Sequence, residues 1–382
     1  MDRRVLIAGA RAPAALDLAR CFRAAGAEVH MADCAPSRMA AFSRAVAKVH
    51  YYPSPRADFA RFAKAARGLI ADIDPVLVVP TCEEVFYFAA LADTRVFAPD
   101  VATLRQLHSK HLFARDVAML GLPVPETRLI RSETDLAPLL ADTYNLVFKP
   151  EYSRFGSQTL VTPSREGAGM LQPTADSPWV AQRFVRGFEV SLYAASVGSR
   201  VVAFSAYRSA WKFDGGAGYA FGVLPQALHD RLLQIAETLA QKLIPRGQFA
   251  CDAIIDAEGA PWLLECNPRA TSGVHLFERS SALAEAMLGE REAPVLAASA
   301  SPKHIGPALW AYGLPNALKQ GRLAEWNARR KASADVISAP GDHAPVAGAL
   351  IDTARLSAIA IARGISLTAA STVDIEWNGE AL

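Results

Sequence analysis

The sequence predicts an α/β fold that begins with a parallel sheet and continues into paired strands. Near the N-terminus, a short apolar strand at Val5–Ala8 is followed by a helix over Pro13–Ala25 and a second strand at Glu28–Ala32. Alternation of strands and helices is typical of a parallel sheet. Much further along, Phe249–Ile255 and Trp262–Asn267 have the pattern of two strands joined in a hairpin. These two observations organise the rest of the chain.

The bulk composition is that of a soluble globular protein with room for two or three domains in its 382 residues. A net charge of +2 among many balanced charges gives no sign of a nucleic-acid or membrane partner. No uninterrupted apolar run has the length of a membrane span, and we expect no export signal and a cytoplasmic protein. The five cysteines show no CxxC spacing, which argues against a zinc site or a disulfide framework.

The register of the hairpin decides which side chains meet. If the connection is the four residues Ala257–Ala260, Asp252 lies directly opposite Glu265. The same register pairs Ile254 with Leu263, because side chains alternate along a strand. One face of the hairpin is then apolar, and the other is apolar except for a small polar group.

That polar group consists of Asp252, Glu265 and Asn267. Two carboxylates opposed on a sheet repel each other unless a cation lies between them. An all-oxygen set of this kind suits Mg²⁺, which completes its coordination with phosphates and water. Arg269 follows closely and could neutralise those phosphates. The alternative interpretation is a solvated sheet face without a ligand.

Three earlier segments have features of a phosphate or nucleotide site. Lys149 ends an apolar strand, so its charge must project into a cleft or find a partner. The loop Glu151–Thr159 is rich in small residues and could offer amide and hydroxyl donors to phosphates. Trp179–Tyr193 is predicted as two strands broken at Arg186-Gly187, which leaves main-chain groups free to meet an adenine edge.

Other segments are less specific. Glu83 and Glu84 follow a parallel strand, where ligands of α/β proteins collect, and one of them could meet a substrate ammonium; stabilisation of the helix that follows is the alternative. The turn Gly9–Pro13 lacks the GxGxxG pattern, which disfavours a nicotinamide oxidoreductase. The Gly-rich segment Tyr207–Gly222 is predicted as a mobile loop over a site.

The C-terminal part contains no chemical motif. Ile365–Thr368 and Val373–Trp377 have strand-like composition, and we predict short strands there.

Taken together, these segments resemble the ATP-grasp superfamily, in particular its single-chain carboxylate–amine ligases and the synthetase domains of carbamoyl-phosphate synthetase. Glu265-Cys-Asn267-Pro-Arg269 is similar to the family's E-x-N-P-R segment. The resemblance implies α/β and α+β architecture: the ATP-grasp fold with an N-terminal Rossmann-like pre-ATP-grasp domain. The implied domains are a pre-ATP-grasp domain (1–108), a small lobe (109–185), a large lobe with the metal site (186–295) and a C-terminal region of unassigned role (296–382).

The resemblance also implies a set of site residues, with ATP and Mg²⁺ (or Mn²⁺) as cofactors. The metal ligands would be Asp252, Glu265 and Asn267. The nucleotide would be held by Lys110, Lys149, Ser153, Gly156, Ser157, Gln182, Phe184, Val185 and Glu189. Arg269, Lys212 and Arg208 would stabilise the transferred phosphate or the substrate carboxylate.

The function implied by this resemblance is ligation of a small-molecule carboxylate to an amine through an acyl phosphate, with release of ADP. Two alternatives stay open: a bicarbonate-using carboxylase or carbamoyl-phosphate-forming enzyme, and a non-catalytic ATP-binding protein. The resemblance also allows a homodimer.

Overall fold

Three β-sheets organise the chain. The computed structural model describes residues 3–154, 156, 158–212, 218–297 and 301–382. The sheets follow one another along the sequence, and the C-terminal region then returns to the first sheet.

The first sheet is four-stranded and parallel, in the order β3-β2-β1-β4. Its elements are β1 (Arg4–Ala8), α1 (Pro13–Ala24), β2 (Glu28–Asp33), α2 (Arg38–Ala41), β3 (Lys48–Tyr51), α3 (Phe59–Ile73), β4 (Leu77–Pro80), α4 (Glu84–Ala89) and α5 (Val101–His108). The predicted strand–helix alternation is confirmed. Gly9 has a φ of 78°, and a Cβ there would lie 2.4 Å from the Thr81 hydroxyl oxygen. Any other residue at this position would collide with Thr81, so only glycine fits here.

The second sheet is four-stranded and antiparallel, in the order β5-β8-β6-β7. This part contains α6 (Lys110–Met119), β5 (Thr127–Ile130), α7 (Glu133–Leu136), β6 (Leu146–Pro150), β7 (Leu160–Val161), α8 (Arg165–Gly169) and β8 (Trp179–Arg183). The Ser109 side chain accepts a hydrogen bond from the Leu112 amide and so caps α6 at its N-terminus. That cap fixes where Lys110 begins the helix.

The third sheet has eight strands and carries the hairpin. Its path is β13-β12-β9-β10-β11-β15-β16, with β14 beside β10. The elements are β9 (Phe188–Val197), β10 (Arg200–Lys212), β11 (Gly218–Val223), α9 (Gln226–Leu243), β12 (Arg246–Ile255), β13 (Pro261–Asn267), α10 (Ala282–Met287), β14 (Val295–Leu296), β15 (Lys303–His304), α11 (Gly306–Ala308), α12 (Leu314–Lys319), α13 (Leu323–Ala332) and β16 (Ala334–Asp335).

The prediction of a loop over Tyr207–Gly222 is wrong for the residues described there. β10 continues to Lys212, and β11 pairs with it in antiparallel fashion from Gly218 onward. Alternating aromatic and small residues bury one side of this strand pair, and the rings of Tyr207 and Phe221 are in contact. The free energy gained by burying these side chains in a sheet exceeds the conformational cost of ordering the glycines.

The C-terminal region ends with α14 (Pro345–Arg363) and α15 (Leu367–Ala370), which lie against the first sheet's layer. Both strand predictions in this region are wrong. Ser366 caps α15 in place of a strand, and the segment up to Trp377 has turns only. Trp377 is buried by stacking on Phe86, with ring centroids 4.3 Å apart, so its apolar character reflects packing and not sheet formation.

Helix α14 is long and apolar enough to cross a membrane, judged by length and composition alone. The sequence analysis found no uninterrupted apolar run of this length. Helix α14 escaped that search because Asp352 and Arg355 interrupt its apolar residues. In the folded chain, Asp352 accepts hydrogen bonds from the amides of Arg38 and Met39 in α2. The helix is thereby attached to the first layer of the protein.

Candidate active site

The hairpin of β12 and β13 has the predicted register at its polar end only. Ala250 opposes Asn267 and Asp252 opposes Glu265. Beyond this point the register shifts by one residue, so the predicted pairing of Ile254 with Leu263 is wrong. The connection between the strands has five residues instead of four, and a β-bulge at Leu264 absorbs the difference.

The bulge has a direct consequence for the site. The carbonyl of Leu264, the residue at the bulge, accepts a hydrogen bond from Gln182 Nε2 at 3.3 Å. Gln182 lies on β8 in the second sheet, so the bulge links the two sheets next to the carboxylates. Bulges commonly redirect groups beside functional sites in this way.

The surroundings of the two opposed carboxylates shift their pKa values in opposite directions. Burial, with the neighbouring Glu265 charge, raises the pKa of Asp252 to about 7. Burial alone would raise the pKa of Glu265 as well, but Lys110 and Lys149 outweigh it and lower that pKa. The Ser191 hydroxyl donates to Asp252 Oδ1 at 2.6 Å. The pair therefore shares negative charge in a half-buried position that favours a cation.

The donor set fits a hard divalent cation that also binds phosphate. The described residues contain no group of three or more His, Cys, Asp or Glu side chains arranged as a self-sufficient metal site. Asp252, Glu265 and the Asn267 amide supply two carboxylates and one neutral oxygen. Mg²⁺ usually takes only one or two carboxylates, with its other ligands from phosphates and water.

Two lysines approach this group from the second sheet. Lys110 Nζ lies 3.5 Å from Glu265 and is buried behind it, with the Ser153 hydroxyl at 3.1 Å. Lys149 Nζ donates to Gln182 Oε1 at 3.1 Å, and burial lowers the pKa of this lysine. A buried ammonium with few carboxylate partners is well placed to attract phosphate oxygens.

The break between β8 and β9 is a sharp crossing between the second and third sheets. A Cβ at Gly187 would lie 2.0 Å from the Ile255 carbonyl, so only glycine allows this close approach. Phe184 donates its amide to Asn145 O at 2.7 Å. The main chain of Val185 has no hydrogen-bond partner among the described residues. Its amide and carbonyl are available to a ligand.

These groups surround one cavity of about 720 Å³, which we name the nucleotide cavity. The predicted site residues that line it are Lys149, Gly156, Gln182, Phe184, Val185, Glu189, Lys212, Asp252, Glu265, Asn267 and Arg269. Lys212 forms an ion pair with Glu189 at its edge. Arg269 Nη2 donates to Asn267 Oδ1 at 3.2 Å, next to the carboxylates.

The structure does not bring every predicted residue to this cavity. Arg208 is exposed and lies over the Phe188 ring at 5.0 Å, on the opposite side of β10 from Tyr207. Lys110 and Ser153 contact one another behind the cavity wall and do not line it. Ser157 lies outside the described residues.

Several lining residues were missed by the sequence analysis. Ser191 was detectable, because strand alternation places it on the same side of β9 as Glu189. The hydroxyl residues Thr271 and Ser272 follow the hairpin, and only their position beside Arg269 reveals them. Ile305, Thr368 and Ser371 enter from the C-terminal region and had no sequence signal.

Glu83 and Glu84 are buried and line no part of this cavity. Glu83 accepts from Arg154 Nε at 2.6 Å and from the Trp377 amide at 3.1 Å. Glu84 accepts from the Thr81 amide at 2.9 Å, as the alternative interpretation of a helix-stabilising residue predicts.

Comparison with known proteins agrees with this geometry. Residues 107–273 match the family model of an ATP-grasp domain. Among curated proteins, none matches this sequence significantly. The L-amino acid ligase of Bacillus licheniformis has a similar fold, with 15% identity, a TM-score of 0.59 and coverage of 76% of each chain.

Two further solved structures share the fold. Phosphoribosylamine–glycine ligase of Thermotoga maritima is 17% identical, with a TM-score of 0.63 and coverage of 79% of this chain and 80% of that one. The biotin carboxylase domain dimer of the Hydrogenobacter thermophilus 2-oxoglutarate carboxylase, in complex with MgADP, ADP and bicarbonate, is 11% identical, with a TM-score of 0.61 and coverage of 79% and 73%.

The matched residues include both lysines, the break between the second and third sheets and the whole carboxylate hairpin, and the three sheets follow the architecture of these solved structures. Residues 107–273 therefore match an ATP-grasp domain, and the chain has the fold of these solved structures, the ATP-grasp fold.

Proposed function

We propose that this protein is an ATP-dependent ligase that activates a small-molecule carboxylate and joins it to an amine, with release of ADP and phosphate. The observation that carries the proposal is the opposition of Asp252 and Glu265 beside Asn267, Lys149 and Arg269 in one cavity. These groups can neutralise phosphate charge from several directions. Phosphoryl transfer needs mainly such positioning and electrostatic stabilisation from a protein.

The nucleotide would lie between the second and third sheets. The unpaired main chain of Val185 would meet the adenine edge, and Glu189 would reach the ribose hydroxyls. Gln182 already donates to Thr127 and to the Leu264 carbonyl, and accepts from Lys149. Its role would therefore be to orient Lys149 towards the phosphates and not to contact adenine through a free side chain.

The divalent cation would be held by the oxygens of Asp252, Glu265 and Asn267, and when bound it supplies charge neutralisation on the phosphate oxygens. Lys149 would donate to a phosphate oxygen on the opposite side. Lys110 lies behind Glu265, so its charge would act by keeping that carboxylate ionised. Each of these roles follows from a separate contact.

The reaction proceeds in two steps. A carboxylate oxygen of the substrate attacks the γ-phosphorus, the bond to the bridging oxygen of ADP breaks, and an acyl phosphate forms. The amine then attacks the acyl carbon and phosphate leaves. Arg269, whose Nη2 donates to Asn267 Oδ1, would hold the acyl phosphate. No side-chain nucleophile is needed, because ATP supplies the activation.

A bicarbonate-using reaction is the second candidate. The favouring observation is the fold similarity to a carboxylase domain whose structure contains MgADP and bicarbonate. In that case bicarbonate takes the place of the carboxylate in the first step, and the later acceptor determines the product.

The test is a screen for ADP release in which a panel of carboxylates is crossed with a panel of amines. Bicarbonate forms a separate arm, and mixtures without acid or without amine are the controls. We expect ADP release that requires both an acid and an amine. Hydroxylamine in place of the amine should trap the acyl phosphate as a hydroxamate.

Two results would contradict the ligase proposal. ADP release that requires bicarbonate and no other acid would assign the protein to the carboxylating class. Saturable ATP binding without ADP release in any mixture would favour a non-catalytic nucleotide-binding protein.

A further inference from the structure

A second cavity, separate from the nucleotide cavity, lies between the first sheet and the C-terminal helices. It has a volume of about 440 Å³, and we name it the arginine cavity because Arg11, Arg56, Arg355 and Arg363 line it with a single carboxylate, Asp374. We propose that it binds a small organic anion, a carboxylate or a phosphate ester with a short apolar body. This site goes beyond the ligase reaction and requires no ATP.

The position of the cavity is one at which α/β proteins commonly bind ligands. Arg11 follows β1, Ala35 follows β2 and Ser54 follows β3, so the floor is the carboxyl edge of the parallel sheet. The opposite wall is α14, which contributes Arg355 and Arg363. The C-terminal region thus closes a cleft that the sheet alone would leave open.

Two of the four arginines are already matched by carboxylates. Arg11 donates to Asp33 and to Asp374, and Arg56 forms an ion pair with Glu376. These contacts attach the C-terminal segment to the first layer. The charges of Arg11 and Arg56 are therefore neutralised by carboxylates of the protein itself.

The two arginines of α14 are not matched in this way. Arg355 Nη2 donates to the Pro36 carbonyl at 3.2 Å, but its Nε is buried with no hydrogen-bond partner among the described residues. Arg363 has neither a hydrogen bond nor an ion pair with any described residue. A buried guanidinium donor without an acceptor is rare in folded proteins. An anion between these two side chains would accept from the buried Nε of Arg355 and pair with the exposed guanidinium of Arg363.

The other residues that line the arginine cavity indicate which chemical class of anion would fit it. Leu356, Ile359 and Val373 contribute apolar surface beside the arginines. A cavity of this size matches small-molecule sites, which combine an apolar lining with a few polar groups that fix orientation. A planar guanidinium binds carboxylate and phosphate oxygens in pairs, so both headgroups belong to the same class of ligand.

The arginine cavity is not an extension of the nucleotide cavity. The two share no lining residue. The segment after α15 forms part of both walls, with Ser371 on the nucleotide side and Asp374 on the arginine side. Arg11 Nη1 also donates to the Ser371 carbonyl at 2.9 Å, which holds this wall in place.

The test measures binding of hexanoate and hexyl phosphate to the full chain by isothermal titration calorimetry, without nucleotide or metal. We expect saturable binding to the wild-type protein. The double variant Arg355→Gln/Arg363→Gln should bind at least tenfold more weakly. Hexanol, which lacks the charge, should bind at least tenfold more weakly than the anions. Tighter binding of one probe assigns the site to carboxylates or to phosphate esters.

A matched control variant removes the same number of positive charges as the double variant, but away from the cavity. Arg23→Gln/Arg67→Gln removes two exposed arginines away from both cavities and should bind like the wild type. Arg363→Gln alone alters an exposed side chain, so it should fold even if the double variant does not, and it should weaken binding at least threefold.

Three results would overturn the proposal. One is the absence of saturable binding of either probe to the wild type, and another is equal binding by wild type and Arg363→Gln. The third is loss of binding in Arg269→Gln with binding retained in the arginine-cavity variants, which would place the anion in the nucleotide cavity. Because no ATP is present, failure of the ligase proposal would leave these measurements unaffected.

Discussion

Two acidic pairs in this protein have similar sequence signals and different surroundings. Asp252 and Glu265 oppose each other across a hairpin and line the nucleotide cavity. Glu83 and Glu84 are neighbours shortly after β4, are buried and do not line that cavity, although Glu83 Oε1 lies 3.9 Å from Nη2 of Arg269 in its wall. The first pair lies within two paired strands and the second follows a parallel strand, and ligand-binding residues are expected at both places. Only the first pair is accessible to a ligand.

The difference lies in the partners of each carboxylate. Arg154 and the Trp377 amide already hydrogen-bond Glu83. The amides of Thr81 and Cys82 donate to Oε1 of Glu84, whose Oε2 is enclosed without a hydrogen-bond partner among the described residues. The carboxylates of the hairpin have fewer partners than their charge requires, with Lys110 at 3.5 Å from Glu265. Carboxylates enclosed by the fold can act only through their neighbours in it, whereas carboxylates that face a cavity can also bind a cation.

The largest expected effect is on the hairpin pair. Glu265→Gln should reduce ATP turnover by about 10²–10³-fold, because it removes charge where phosphate and cation meet. The free energy of unfolding should change little, since the amide fits the same space. Turnover is measured as ADP release under the conditions found in the substrate screen.

Glu258→Gln is the control, because Glu258 is exposed in the connection of the same hairpin. It should keep wild-type turnover. A Glu265→Gln protein that releases ADP at the wild-type rate would remove Glu265 from the proposed site.

A smaller effect, on stability, is expected for Glu83. Glu83→Gln should lower the free energy of unfolding by about 1.5–3 kcal/mol, because it weakens charge-assisted hydrogen bonds to buried Arg154. Urea unfolding followed by circular dichroism measures this change, and the exposed Glu237→Gln should have no measurable effect. Unchanged stability of Glu83→Gln would mean that the C-terminal segment is held without this carboxylate.

The last effect concerns Glu84 and is seen only as a dependence of stability on pH. Burial raises the pKa of Glu84 to about 7, although the amides of Cys82 and Thr81 act in the opposite direction. The unfolded carboxyl has a pKa of about 4.3, so the folded state binds more protons between these values. The free energy of unfolding should therefore fall as pH rises from about 5 to 7, by at most about 1.4 kcal/mol per pH unit.

Glu84→Gln should remove this contribution, whereas Glu237→Gln should keep the wild-type pH dependence. The measurement is urea unfolding at several pH values. If Glu84→Gln and wild type have the same pH dependence, Glu84 is ionised in the folded protein throughout this range.

Much of the fold could be predicted from the sequence because its signals are local. Strand–helix alternation identified the first sheet. The polar end of the hairpin was also predictable, because opposed strand residues are fixed by a short connection. The shift at Leu264 was not, since one additional residue in the connection moves every pair beyond the bulge.

By itself, the sequence determined which oxygens, lysines and arginine are available to the nucleotide cavity, in the order that the resemblance to ATP-grasp proteins implies. Only the tertiary structure decided which charged groups are free to bind. Arg11 and Asp374 meet across the whole chain, and Arg154 saturates Glu83 from the second sheet's loop. Contacts over such distances leave no periodic pattern in the sequence, because they depend on how separate layers pack and not on the spacing of residues along one element.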